Sequence, residues 1–475
     1  MDKATLSATI IRDVGDLLMT ELTRIGPELL ASDLDGIEQR LQDLGRRVMG
    51  RVVEGVVRTL AAQPSGEPPR CPTCQHSMRL VDPARSRHLQ GLVGDDAVER
   101  ASFSCAACHA GRAPLDERLG LGVGALSPGL ARVACRLGIE DSFAEAADAL
   151  GETLRVNLAR EADRRITEGI GQVAEDEEQA AIARAHAGRA PLAEPQELPP
   201  GAALLVEVDG AQVHLEDDGH EVKVGLAAPL GPSTRTDPTT GRETRVMGKP
   251  SYCAGFETAE LFWYRVDVAA CRQGLASPGL ALIVVLGDGA DWIWHYAARF
   301  LAIGRAEIGE IVDIDHAWEH LGTVAAAVFG VGTPAAFAWL DPLKGKLHDQ
   351  GVPPILAALA DLAARPSMPP TAADEIRKAR GYFTTHAARM DYPTFLARHL
   401  PIGSGAVESS CKTLIEEREK GAGMRWTKPD AQAVASLRAL WRSGRWQEFW
   451  ATHPQRRRLP VTCRPSSAAP LPKAA

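Results

Sequence analysis

Residues 203–215 read "ALLVEVDGAQVHL", and the fold class turns on them. A short apolar run that stops at an Asp-Gly pair predicts a buried strand ending in a turn. Immediately before it stands "HAGRAPLAEPQELPPG" (186–201), a Pro-, Ala- and Gly-rich linker and the clearest domain boundary in the chain. After it, "EVKVGLAAPL" (221–230) reads as a second strand, joined to the first by the turn "EDDGH". "ALIVVLGDGA" (281–290) is a buried strand, "WIWHYAARFL" (292–301) a helix, and "IGEIVDIDHAWEHLGTVAAAV" (308–328) a strand running into a helix. Strands followed by helices imply a sheet with crossover connections, hence an α/β class. From about 321 to 400 the pattern is helical, with breaks at "GVGTPAA" and "ARPSMPPTAA".

Upstream of the linker the chain is built differently, and no tryptophan occurs before Trp263. Residues 5–62 are expected to be helical, because Ile37, Leu41, Leu44, Val48, Val52 and Val56 trace one apolar stripe. "QPSGEPP" (63–69) ends that region. Residues 126–171 are again helical, with Ser127 as N-cap and Pro128 at the first helical position. Three short helices with a break at Gly151 resemble a helix-turn-helix, as any small helical hairpin does.

Between these regions, Cys71-Pro-Thr-Cys74 and Cys105-Ala-Ala-Cys108 form the most specific local signal. Each turn offers two thiolates, and two turns complete a tetrahedral zinc shell with no open position for water, so the zinc is expected to be structural. The remaining cysteines are scattered singly, which fits a reducing compartment rather than a disulfide framework. Neither a signal peptide nor an apolar span of about 20 residues is visible. Ala-, Arg- and Gly-rich usage adds a bacterial cytoplasm to these expectations. The net charge of −8 and pI near 5.9 mean that nucleic acid must be met through local basic patches.

Asp209 and Asp288 each end an apolar run and precede Gly. Carboxylates at neighbouring strand ends repel one another unless a divalent cation joins them, and Mg²⁺ (or Mn²⁺) favours such oxygen ligands. "PIGSGAVESSCK" (401–412) adds a glycine turn leading into a helix that carries Glu408. A two-metal site for in-line attack at phosphorus needs about three carboxylates, so Glu408 completes the set.

"VDGAQVHL", "LGDGADWIW", "IVDIDHAWEHL", "PIGSGAVESSCK" and "GAGMRWTKPDAQAVASLRALWRSGRWQEFW" together resemble the DDE transposases of bacterial insertion sequences. The resemblance is to the ISKra-type family, distantly related to Mutator-type enzymes, and covers roughly residues 120–450. It implies an RNase H-like catalytic domain with a helical insertion before the last acid, and the catalytic triad Asp209, Asp288 and Glu408. It further implies cutting of element ends and joining to target, with double-stranded DNA as partner and a homo-oligomer in the synaptic complex. His316 would lie near the active centre with Glu319 and His320, and Asp313 is the fallback for the second acid.

"HAWEH" (316–320) also matches the inverted zinc-peptidase signature, with His316 and His320 as ligands and Glu319 as base. A peptidase leaves both Asp-Gly turns unexplained. A non-catalytic DNA-binding regulator is the other alternative, and it has no need of the three acids. Lys412, Arg418, Lys420, Arg425, Lys428, Arg438, Arg442 and Arg445 interleave with Trp426 and other tryptophans, a pattern that suits DNA contact. An amphipathic helix packed through its tryptophans gives the same pattern.

The organisation expected is therefore an N-terminal helical region (1–65), a zinc-ribbon-like module (66–118) and a helical, helix-turn-helix-like region (119–185). After the linker come the first part of the RNase H-like domain (202–320), a helical insertion (321–400), the last part with Glu408 (401–455) and a disordered tail (456–475).

Overall fold

A computed structural model describes residues 3–63, 67–122, 124–187, 197–216, 219–236, 243–302, 306–366, 368–421 and 424–456. The middle of the linker, residues 217–218 of the first turn, and the tail from 457 lie outside the described residues. The chain forms two units, Met1–Thr167 with Trp446–Ala475, and Glu168–Arg445.

The first unit opens with two long helices, α1 (Lys3–Leu30) and α2 (Leu34–Ala61), the second capped by the Asp33 side chain. Along the expected stripe Leu44 is 4% exposed, but Leu41 and Val56 keep 45% and 39% of their surface. The strands β1 (Arg79–Gln90), β2 (Asp95–Ser104) and β3 (Gly111–Arg112) then form a small antiparallel sheet in that order. A short α3 (Pro114–Arg118) leads to α4 (Pro128–Gly138), α5 (Phe143–Leu154) and α6 (Arg160–His186), which continues past the unit boundary. Ser127 caps α4 and Pro128 opens it, as the sequence indicates. Gly151, expected as a break, lies inside α5; the helix ends instead at Arg155, whose φ of 54° is left-handed.

In the second unit β4 (Ala202–His214), β5 (Gly219–Thr236), β6 (Glu243–Met247), β7 (Ser251–Gly255), β8 (Leu280–Gly287) and β9 (Glu307–Val312) form a mixed sheet. Its order is β6-β5-β4-β8-β9, with β7 also paired to β5. β4 and β5 are antiparallel, whereas β8 and β9 run parallel to β4. Parallel neighbours need crossovers, supplied by α7 (Ala259–Arg272) and α8 (Asp291–Leu301). The 203–215 stretch is the central strand: no residue from 203 to 208 is more than 2% exposed. Burial on both faces is why it reads as a continuous apolar run. β6 and β7 were not visible in the sequence, because five-residue strands with Gly and Pro at their margins offer too little alternation.

After β9 the chain is helical through α9 (Ile314–Phe329), α10 (Pro334–Gln350), α11 (Pro353–Ala363), α12 (Pro370–Thr385) and α13 (Tyr392–Ala397). The stretch 401–419 folds as α14 (Gly405–Ser410), a π-helical turn (Cys411–Glu416) and α15 (Glu417–Glu419). Helix α16 (Lys428–Arg442) closes the unit, and α17 (Trp446–Arg456) is grouped with the first one. Among the described residues no helix is long and apolar enough to cross a membrane.

Candidate metal centres

Sheet register builds the acidic centre. β4 pairs with β8 at Glu207–Leu286, and β8 pairs with β9 at Gly287–Val312. Continuing each ladder puts Asp209, Asp288 and Asp313 in one row across three adjacent parallel strands, just past the ends of β8 and β9 but inside β4, which runs on to His214 instead of ending at the expected Asp-Gly turn. Asp209 Oδ1 accepts from Gly210 N at 2.7 Å within β4, and Asp288 Oδ1 accepts from Ala290 N at 2.8 Å in the turn after β8. Asp313 caps α9, accepting from Asp315 N at 2.6 Å.

Helix α14 brings Glu408 to this row. Asp313, His316 and Glu408 have ligand atoms within 4.8 Å of one another, a group that can hold a metal ion. Asp209 and Asp288 stand outside that trio yet act on it. Burial raises the pKa of Asp209 and the neighbouring Asp288 carboxylate raises it further. Burial disfavours protonation of His316, but Asp313, Glu319, Asp288 and Asp209 outweigh it and hold its pKa above the ordinary value. Burial likewise raises Glu408; the Ser404 hydroxyl, donating to Oε1 at 3.0 Å, opposes the rise. The thiol of Cys411, in the π-helical turn, donates to Asp209 Oδ2 at 3.6 Å.

One acid of this centre was not anticipated. Glu207 is 1% exposed, and its Oε2 accepts from Val407 N at 2.8 Å. Burial, aided by Asp313 and Glu408, pushes its pKa up to about 8. It precedes Asp209 by two positions, so both side chains lie on one face of β4.

The two histidines of "HAWEH" part company. His316 joins the acids, with Nδ1 at 3.3 Å from Glu319 Oε2. The His320 ring stacks on Tyr382 with centroids 3.8 Å apart, and Tyr382 donates its hydroxyl to the Asp288 carbonyl at 3.2 Å. Among the described residues no potential metal group contains both histidines.

The basic segment divides as well. Lys412, Lys420, Arg425 and Lys428 are exposed. Arg418 and Arg438 are each 1% exposed and Trp426 is 5% exposed, so these three are core residues rather than a DNA-facing surface. The Arg418 guanidinium lies over the Trp426 ring at 4.8 Å, and Arg438 Nε donates to the Thr413 carbonyl at 3.1 Å. Arg442 is half-buried, and Arg445 lies 4.0 Å from Glu178. Interleaved basic and aromatic residues describe a stacked interior as well as a nucleic-acid surface.

The cysteine centre belongs to the first unit. All four sulfurs of Cys71, Cys74, Cys105 and Cys108 lie within 4.8 Å of one another, and this group can hold a zinc ion. Cys71–Cys108 and Cys74–Cys105 stand 3.4 Å apart and Cys74–Cys108 3.5 Å. A tetrahedron with Zn–S bonds near 2.3 Å has edges of about 3.8 Å, so the fit needs only a slight opening. The two turns are alike: Cys71 N donates to the His76 carbonyl and Cys105 N to that of Ala110, both at 2.8 Å. Gln75 and His109, the residues following each pair, share left-handed φ values of 61° and 59°. Backbone N–H groups of Cys74 and Thr73 pull the Cys71 thiol down to about 6 and those of Cys108 and Ala107 lower Cys105, whereas neighbouring thiols raise Cys74 and Cys108, so two of the four favour the thiolate without an ion.

The sequence matches no protein-family profile, and no curated protein matches it.

Proposed function

We propose that this protein is a DDE-type transposase that cuts the ends of a bacterial insertion sequence and joins them to target DNA. One observation carries the reading. Three adjacent parallel strands carry Asp209, Asp288 and Asp313 in one row, and a helix about 95 residues beyond Asp313 supplies Glu408 beside it. An acid row of this density is unfavourable by itself and suits divalent cations. The mixed sheet, with two parallel strands added beside the first strand of an antiparallel meander, supports an RNase H-like reading, with α10–α13 as the helical insertion.

Asp313, His316 and Glu408 would hold magnesium or manganese, with Asp209 and Asp288, the other acids of the expected triad, in the same row. Bound there, such ions activate water or a 3′-hydroxyl and stabilise the oxygen leaving phosphorus. The chain's own contribution is placement. Gly210 and Ala290 N–H groups fix the two aspartates, and Ser404 holds Glu408 by its hydroxyl. The four cysteines would hold a structural zinc, since a complete thiolate shell leaves no position for water.

DNA carrying the inverted repeats that flank the gene is the natural substrate for a test. Wild type should cleave it with Mg²⁺ or Mn²⁺, and Glu408→Gln should still bind it but cut at least about 100-fold more slowly. Losing ~3 kcal/mol of transition-state stabilisation corresponds to that factor. Near-wild-type cutting by the variant removes Glu408 from the site and the reading with it.

A further inference from the structure

Helix α14 has only six residues, and the hydroxyl of its N-cap residue, Ser404, makes no bond to the helix backbone. That hydroxyl is committed to Asp313 and Glu408. The first N–H groups of a helix must find partners elsewhere. Here two buried carboxylates supply them. Asp313 Oδ2 accepts from Ser404 N at 3.0 Å, and Glu207 Oε2 accepts from Val407 N at 2.8 Å. Val407 is fully buried and is the residue immediately before Glu408. A carboxylate in the middle of a central strand is a costly way to fill space, because every apolar side chain of that size avoids its desolvation.

We propose that Glu207 is a positioning residue, which clamps the first turn of α14 onto β4 and so fixes Glu408 against Asp313 and the row of acids beside it. The proposal rests on the metal-dependent reading of those acids. It predicts that Glu207 acts through Glu408 rather than as a ligand. A glutamine at 207 keeps an oxygen that accepts from Val407 N–H; a methionine of similar length does not.

The test uses the full zinc-loaded chain with Mn²⁺ alone as probe, by calorimetric titration, alongside hydrogen exchange of residues 404–410 measured without Mn²⁺. Glu207→Met should lose the protection at Val407 and bind Mn²⁺ about 10–100-fold more weakly, the usual cost of losing a group that orients a ligand. Glu207→Gln should stay within about threefold of wild type in both. Combining Glu207→Met with Glu408→Gln should weaken Mn²⁺ binding no further than Glu408→Gln alone, since residues acting as a unit are not additive.

Additive losses overturn the proposal, as does a Glu207→Gln defect as deep as that of Glu408→Gln, which would make Glu207 itself a ligand. If Glu207→Met fails to fold, Glu207→Gln carries the decision by the same criterion. If Glu408→Gln binds Mn²⁺ as wild type does, the metal reading fails, and metal-free exchange still decides the clamp. Equal protection of Val407 in wild type and Glu207→Met overturns it.

Discussion

Glu419 is 2% exposed, and neither carboxyl oxygen has a hydrogen-bond partner among the described residues. Burial pushes its pKa up to about 8 against the pull of Arg418 and Arg438. An unfolded glutamate titrates near 4.3. A pKa raised by folding gives a contribution that is complete below about pH 4.3 and is lost as pH rises through about 8. Glu419→Gln should therefore melt close to wild type at pH 5 and above it at pH 9. Thermal unfolding across that range checks this, and a variant with the wild-type slope refutes it. Glu207 has the same sign, so the substitution removes part of the slope rather than all of it. These two buried acids were the least legible residues in the sequence. Asp209 and Asp288 stood out because each terminates an apolar run before glycine. Glu207 sits inside the run, where nothing set it apart; its spacing of two from Asp209 was the available signal.

Helices α6 and α16 show how one element tests another. A Cβ placed on Gly171 would meet the Ala433 carbonyl oxygen at 2.5 Å and its carbon at 2.7 Å, both backbone atoms that cannot swing aside. Gly169, two residues earlier in α6, has nothing within 4 Å of the same position. Gly171→Ala should then cost about 1–3 kcal/mol by overpacking. Gly169→Ala should add roughly 0.5–1 kcal/mol by favouring the helical backbone. Urea unfolding of both variants measures the pair, and equal shifts would contradict the close approach. Element type was legible wherever a period was long enough, as in the central strand and in the helices after β9. It failed where two structures share one pattern. Arg418 and Trp426 stack in the interior, yet their alternation is also that of a nucleic-acid face.

At the scale of the whole molecule, the two units rest on different kinds of interior. The second has an extensive apolar core around β4 and β8. In the first, the cysteine end of the hairpin buries Met78, Phe103 and Ala110 beside Cys71 and Cys105, while Leu89 and Val98 at its other end belong to a separate apolar cluster with Leu121. If the four cysteines hold zinc, stability at the cysteine end comes largely from the ion, as in other small metal-held folds. Chelation, or Cys71→Ser, should abolish exchange protection over residues 70–79 and 103–112 while β4 and β8 keep theirs. Loss in both units, or in neither, would refute this. The unit boundary falls at Thr167/Glu168 inside α6 rather than at the linker that composition marked, because one continuous helix carries no break in its pattern. The grouping of α17 with the first unit was not legible either, because no local pattern encodes a return of the chain. The contact between Glu207 and Val407 spans 200 residues, and that reach also sets an order in time. At about 5–20 residues per second, the central strand is synthesised some 10–40 s before the helix it must hold. A nascent or prematurely ended chain has the strand acids without their partner. In the transposase reading, no fragment shorter than about 410 residues cuts the DNA from which it is being expressed.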